Sequence, residues 1–261
     1  MQFNFDPNQN YYLLNNNNTT PIVFIHGVGL DQTMWQPQLN YFKNETTLTY
    51  DLLGHGKTPL KNNDLSMNNF TDQLYGMINS LNINEFNLVG FSIGSLIAIE
   101  FASKYHHYLK SLTLISTTYK RNEKERQKVI DRVNLAKENK SISDLAMKRW
   151  FSDDYLIKNP NVIKSLKQRL EKYGDDHVNF IKAYSLFANY EEDIRIINSI
   201  PTKTLVMTGA MDPGSTPKMS RELCNDLANA TYVEIKNAKH LCSIECSDDV
   251  NFQIKKHIDN A

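Results

Sequence analysis

The stretch Leu88-Val89-Gly90-Phe91-Ser92-Ile93-Gly94 sets a serine hydroxyl between two glycines, where an apolar run meets a helical one. Residues 88–91 have the length and composition of a buried strand, and the periodicity from 93 to 101 is helical. A chain that passes from strand to helix in so few residues must cross a strained turn. Ser92 is therefore expected at positive φ, at a cost of about 1–3 kcal/mol. Gly90 and Gly94 leave space that a β-carbon would fill. The turn holds the hydroxyl clear of the backbone and at a helix N-terminus, which suits a nucleophile.

A serine hydroxyl attacks a carbonyl only when a base takes its proton, and the base needs a group to orient it. Two later loops offer these partners. Asp212 lies in Gly209-Ala210-Met211-Asp212-Pro213, just past the strand-like residues 205–208. His240 ends Lys236-Asn237-Ala238-Lys239-His240, just past the strand-like residues 231–235. Both loops leave the carboxyl end of a strand, where open α/β sheets bind their ligands. The developing oxyanion also needs donors. The Ile93 N–H, at the helix start, and the Val28 N–H, in the loop His26-Gly27-Val28-Gly29, are the candidates.

These groups meet only if the strands between them run parallel, and the chain alternates strand and helix accordingly. Phe3 and Phe5 alternate with polar residues, and Tyr11 to Leu14 form a second apolar run beyond the turn Asp6-Pro7-Asn8, so two antiparallel strands open the fold. The apolar run 22–25 suits a strand buried on both faces. A helix starts near Pro37, a strand covers 46–50, Ser66 caps a helix over 67–81, and a strand covers 112–115. From residue 119 to 197 the chain is rich in charge and lacks strand-like runs. Helices are predicted there over 123–138, 142–151, 161–173 and 177–188. This segment reads as a helical cap, residues 118–197, inserted into an α/β core of residues 1–117 and 198–261. Its Lys and Arg read as a solvated helix face, with a candidate partner for a substrate carboxylate among them. Thr216-Pro217 opens a helix, and Ser247-Asp248-Asp249 caps the last one.

Five segments carry a family likeness: Phe24-Ile25-His26-Gly27-Val28-Gly29, Asp51-x-x-Gly54-His55-Gly56-Lys57-Thr58, Gly90-Phe91-Ser92-Ile93-Gly94, Gly209-x-x-Asp212-Pro213 and His240-Leu241. Through them the chain resembles the α/β-hydrolase superfamily over essentially its full length. The resemblance implies a mostly parallel central sheet of about eight strands, antiparallel at the N-terminal edge, with helices on both faces and a helical cap. It also implies a triad in the chain order Ser92, Asp212, His240, with no cofactor and no metal. Of the seven histidines, His240 alone has that order and that strand end. Within the superfamily, Met34-Trp35-x-Pro37-Gln38-Leu39, Arg149-Trp150-Phe151 and His240-Leu241-Cys242-Ser243-Ile244-Glu245 look like the 3-oxoadipate enol-lactonase group. Related carboxylesterases share these features. Trp35, Trp150 and Phe151 are the candidates for the substrate pocket. Leu53 departs from the usual Arg before Gly-His-Gly, and Ser95 stands where a second glycine is common.

The expected activity is hydrolysis of a small carboxylic ester or lactone through an acyl-enzyme, with 3-oxoadipate enol-lactone among the candidates. Thioester, C–C bond and cofactor-free perhydrolysis chemistry use the same three side chains, and a ligand receptor on the same fold is a further alternative. A serine at the nucleophile position argues against dehalogenase and epoxide hydrolase chemistry, which uses aspartate there. Lys plus Arg and Asp plus Glu each number 29, so the basic excess of a nucleic-acid binder is absent. No apolar run approaches the roughly 18 residues of a membrane span, and the N-terminus has no signal-peptide pattern. Three clustered cysteines, Cys224, Cys242 and Cys246, are too few for a disulfide framework, so a reduced cytoplasmic protein is expected. Monomer and homodimer both remain open.

Overall fold

The computed structural model describes residues 2–61, 64–138, 140–171 and 174–261, with backbone alone for Gln2 and Phe3. The strands are β1 (Gln2–Phe5), β2 (Tyr11–Asn15), β3 (Ile22–Ile25), β4 (Thr47–Tyr50), β5 (Phe86–Phe91), β6 (Leu109–Ile115), β7 (Thr204–Gly209) and β8 (Ala230–Ile235). They form one sheet in the order β1-β2-β4-β3-β5-β6-β7-β8. β2 pairs antiparallel with both β1 and β4, and every later pairing is parallel. This is the mostly parallel α/β sheet expected from the alternation of elements, antiparallel at its N-terminal edge.

Successive strand residues point to opposite faces, and the core divides accordingly. Val23 and Ile25 of β3 join the cluster under α2 (Met67–Ser80) and α3 (Ile93–Tyr105), with Phe70, Leu74 and Ile97. Ile22 and Phe24 join the opposite cluster, with Phe42 and with Val250 and Ile254 of α12 (Ser247–Asp259). The segment 93–99 of α3 is buried on every side, which is why its sequence is apolar all round rather than striped. Each fully buried Leu or Ile contributes about 1.5–3 kcal/mol relative to exposure. Ser66 caps α2 as expected, accepting the Asn69 N–H at 3.3 Å while Asn69 Oδ1 accepts the Ser66 N–H at 2.9 Å.

Between β6 and β7 the described residues form six helices: α4 (Glu123–Lys137), α5 (Ser143–Trp150), α6 (Asp153–Lys158), α7 (Pro160–Leu170), α8 (Gly174–Asn189) and α9 (Ile194–Asn198). Two of these, α6 and α9, are missing from the sequence-based expectation. At six and five residues they are too short to show a periodicity. The end predicted for the third helix, at Lys172 and Tyr173, lies outside the described residues, as does the side chain of Phe3. The inserted helices feed both core clusters: Val133 of α4 and Phe180 of α8 join one, Met147 of α5 and Leu166 of α7 the other. After β7 come α10 (Pro217–Asp226), β8, the short α11 (Cys242–Glu245) and α12. Ser247 is the first residue of α12 rather than its cap; Cys246 holds the capping position without a side-chain bond. Among the described residues no helix is long and apolar enough to cross a membrane.

His257 of α12 is buried and bonds the carbonyl oxygens of Leu112 (3.1 Å) and Lys203 (3.3 Å), tying the last helix to β6 and to the start of β7. Burial lowers its pKa below histidine's ordinary 6.5. The unfolded chain therefore takes up this proton first. The stability His257 confers is complete above the ordinary value and is lost as pH falls through the folded one. Acidification from neutral pH should lower the melting temperature of the parent, and His257→Gln should reduce that dependence, as measured by thermal denaturation across a pH series.

Candidate active site

Ser92 sits between β5 and α3 with φ 56° and ψ −117°, the left-handed conformation that the strand-to-helix reversal requires. A β-carbon on Gly90 would stand 2.4 Å from the Gly94 carbonyl oxygen, and one on Gly94 would stand 2.4 Å from the Ile25 carbonyl oxygen. Backbone fills both places, so only glycine fits. Ser95, the departure after this turn, has its own function. Its hydroxyl donates to the Gly90 carbonyl at 2.7 Å and accepts the Ile115 N–H at 3.1 Å, binding the turn to β6. A glycine there would leave the Ile115 N–H without this acceptor.

His240 Nδ1 lies 2.7 Å from Asp212 Oδ2. The other carboxylate oxygen, Oδ1, accepts the N–H groups of Gly214 (2.8 Å) and Ser215 (3.0 Å). Both oxygens are thus engaged and the carboxylate cannot turn. An ionised Asp212 makes Nδ1 the protonated nitrogen and leaves Nε2 free to accept a proton. The imidazole stands 5.1 Å from the Phe91 ring, centroid to centroid, and the His240 carbonyl accepts the Ser116 hydroxyl at 2.7 Å. Ser92 and His240 line one cleft, together with Val28 and Phe91. No hydrogen bond joins Ser92 Oγ to His240 Nε2 among the described residues. Such contacts commonly tighten only when substrate is bound.

Val28 lines the cleft, and the Ile93 N–H opens α3 immediately after Ser92. Among the described residues neither N–H donates to a backbone acceptor. The aromatic candidates divide. Trp150 lines the cleft and its Nε1 has no partner. Trp35 and Phe151 do not line it. Trp35 is fully buried against Phe24, with ring centroids 5.0 Å apart, and Phe151 is fully buried and stacked on Tyr155 at 4.7 Å. Both are core aromatics: Trp35 immediately precedes α1 (Gln36–Tyr41), Phe151 immediately follows α5, and both belong to the core cluster that includes Phe24.

A family model described as the alpha/beta hydrolase fold matches residues 20–245. The chain belongs to the alpha/beta hydrolase family. It is 29% identical over 235 residues, 88% of its length and 87% of the relative's, to the (E)-2-((N-methylformamido)methylene)succinate hydrolase of Acinetobacter baylyi. It is 27% identical to 3-oxoadipate enol-lactonase 1 of the same organism, covering 87% of this chain and 84% of that one. In fold it matches the crystal structure of the enol-lactonase from Burkholderia xenovorans with a TM-score of 0.87, at 22% identity over 99% of this chain and all of the other. This alpha/beta hydrolase is therefore an enzyme of a hydrolytic superfamily, with enol-lactonase relatives.

The sequence reading left open which Lys or Arg of residues 118–197 could meet a substrate carboxylate, and in this alpha/beta hydrolase the cleft lining identifies them. Arg121, Lys128, Arg132 and Arg149 line it against a single acid, Glu125. Residues 125, 128 and 132 recur at helical spacing on one face of α4, a signal open to view in the sequence but indistinguishable there from a solvated stripe. Arg132 donates through Nε to the Tyr184 hydroxyl at 2.9 Å. Arg149 Nε is buried without a partner. Burial lowers the Arg149 pKa; Arg132 nearby adds to this, while Tyr184 and Asp212 oppose it. Neither Arg132 nor Arg149 has a salt-bridge partner among the described residues.

Proposed function

We propose that this protein is a serine hydrolase of carboxylic esters or lactones, working through an acyl-enzyme. Ser92 Oγ attacks the carbonyl carbon. His240 Nε2 takes the hydroxyl proton and passes it to the leaving oxygen, and Asp212 orients the imidazole and stabilises its charged form. The N–H groups of Val28 and Ile93 receive the oxyanion. Water, deprotonated by the same imidazole, then releases the acid and restores Ser92. Residues 118–197 act as a cap whose α4 and α5 select the substrate. The observation that carries this reading is the 2.7 Å His240–Asp212 bond beside the cleft that Ser92 also lines.

The same cleft favours a substrate that carries its own carboxylate. A half-buried arginine whose Nε is buried without a partner gains from an anionic partner, and a carboxylate between Arg132 and Arg149 would supply one, with the bidentate geometry guanidinium offers. The two curated relatives are named for a substituted succinate and for 3-oxoadipate enol-lactone, and the latter is the lead candidate here.

A fluorophosphonate probe should label Ser92, as located by peptide mapping, and esters or lactones should compete with it. Failure to label, together with no turnover across esters, lactones and thioesters, would reject the assignment. The Arg149→Ala protein should show a KM for a mono-aryl succinate raised about 10-fold or more, equivalent to about 1.4 kcal/mol. Its kcat on p-nitrophenyl acetate should stay within a few-fold of the parent. Equal effects on both esters would remove Arg149 from carboxylate recognition.

A further inference from the structure

The loop that carries His240 is stitched to the end of α5. The Leu241 N–H donates to the Trp150 carbonyl at 3.0 Å, and Lys239 Nζ donates to the Lys148 carbonyl at 2.9 Å. Glu245, the last residue of α11, joins the same two segments through one side chain. Its Oε2 accepts the Lys239 N–H at 2.7 Å and its Oε1 accepts the Ser152 N–H at 2.7 Å. One carboxylate thus grips the residue before His240 and the residue two beyond Trp150. Its own N–H returns to the Leu241 carbonyl at 3.0 Å, so the backbone that carries it is anchored in the loop it restrains.

We propose that Glu245 is a positioning residue, which sets the His240 imidazole against the cleft wall formed by Arg149 and Trp150. The proposal rests on the reading of His240 as the base. Two short N–H bonds donated to a carboxylate are stronger than neutral ones and fix direction as well as distance. Without them the Lys239 N–H and the Ser152 N–H lose their acceptor, and each segment is free to settle separately. The imidazole would remain attached to Asp212, but the loop that carries it would no longer be held at a fixed place relative to α5. A displacement of about 1 Å at a reacting group can cost roughly 100-fold in rate. Glu245 is not among the residues that line the cleft, so the proposal has it act through the groups it holds.

The test uses the full chain with Glu245→Ala, Glu245→Gln and His240→Ala, assayed on p-nitrophenyl acetate. Folded fraction is read by circular dichroism, so that kcat is expressed per folded molecule. Glu245→Ala should lower kcat about 10- to 100-fold while KM for this small neutral ester moves little. Glu245→Gln keeps one carbonyl acceptor and should fall between Glu245→Ala and the parent. A merely structural role would lower the melting temperature and leave kcat per folded molecule in place. A folded Glu245→Ala protein with kcat within about twofold of the parent, beside an inactive His240→Ala, would overturn this proposal alone. If Glu245→Ala does not fold, Glu245→Gln is judged by the same criterion. Activity retained by His240→Ala would instead remove the base itself and with it the reading on which the proposal rests.

Discussion

Ser92→Ala should lower kcat/KM for p-nitrophenyl ester hydrolysis by about 10⁴- to 10⁶-fold, a loss of about 5.5–8 kcal/mol in transition-state stabilisation. The size follows from what the hydroxyl does. In the proposed mechanism it is the atom that bonds to the carbonyl carbon, and without it the imidazole can only activate water at an uncorrected distance. The proposed oxyanion donors and the arginine-lined cleft remain, so some acceleration over the uncatalysed reaction should persist. The substitution should also relieve no strain, because alanine at φ 56° carries the same penalty as serine. The melting temperature should therefore stay close to that of the parent. The two measurements together separate loss of chemistry from loss of fold. A Ser92→Ala protein that turns over esters at even a tenth of the parental rate would exclude the covalent route.

Asp212→Asn should cost about 10⁴-fold in kcat. The argument is one of tautomers. Asp212 Oδ2 accepts from His240 Nδ1 at 2.7 Å, while Oδ1 is held by the Gly214 and Ser215 N–H groups. An asparagine keeps its carbonyl oxygen on those two backbone donors, because an NH₂ group cannot accept them. Its NH₂ must then face His240 and donate to Nδ1. That moves the imidazole proton to Nε2, the nitrogen that in the proposed mechanism receives the proton from Ser92. The geometry survives and the base is lost. Raising the pH should restore little of the activity, because the fault is the position of the proton and not the number of protons. Activity near the parental level would show that Asp212 does not set the tautomer. The structure of the variant would show whether the side chain had flipped, with its NH₂ toward the loop.

Much of the fold could be read from residue order because local rules and tertiary packing agree along most of this chain. β3 and residues 88–91 of β5 are short apolar runs, and both strands are buried throughout. Ser66 and Thr216 announce α2 and α10, and each accepts the N–H three residues on. The turn at Ser92 was legible for a different reason. Two glycines around a polar residue, at a change from strand to helix, leave few backbone solutions. Where the local signal is short or two-valued, the reading failed. α6 and α9 span too few residues to repeat a pattern. Trp35 and Phe151 stand beside motifs, and an aromatic there has the same sequence signature in a pocket wall as in a core.

The residue order by itself determined the backbone strain at Ser92, the placing of Asp212 and His240 after parallel strands, and the run of helices between β6 and β7. These follow from steric limits and periodicity, which act over a few neighbouring residues. Only the tertiary structure decided which charges face the cleft and which aromatics leave it. Arg132 and Arg149 carry the same charge as any solvated arginine, and they line the cleft only because α4 and α5 dock with those faces inward. The grip of Glu245 on the Lys239 and Ser152 N–H groups was equally hidden. It joins residues 93 positions apart, and at that separation chain connectivity sets no distance until the whole core has closed.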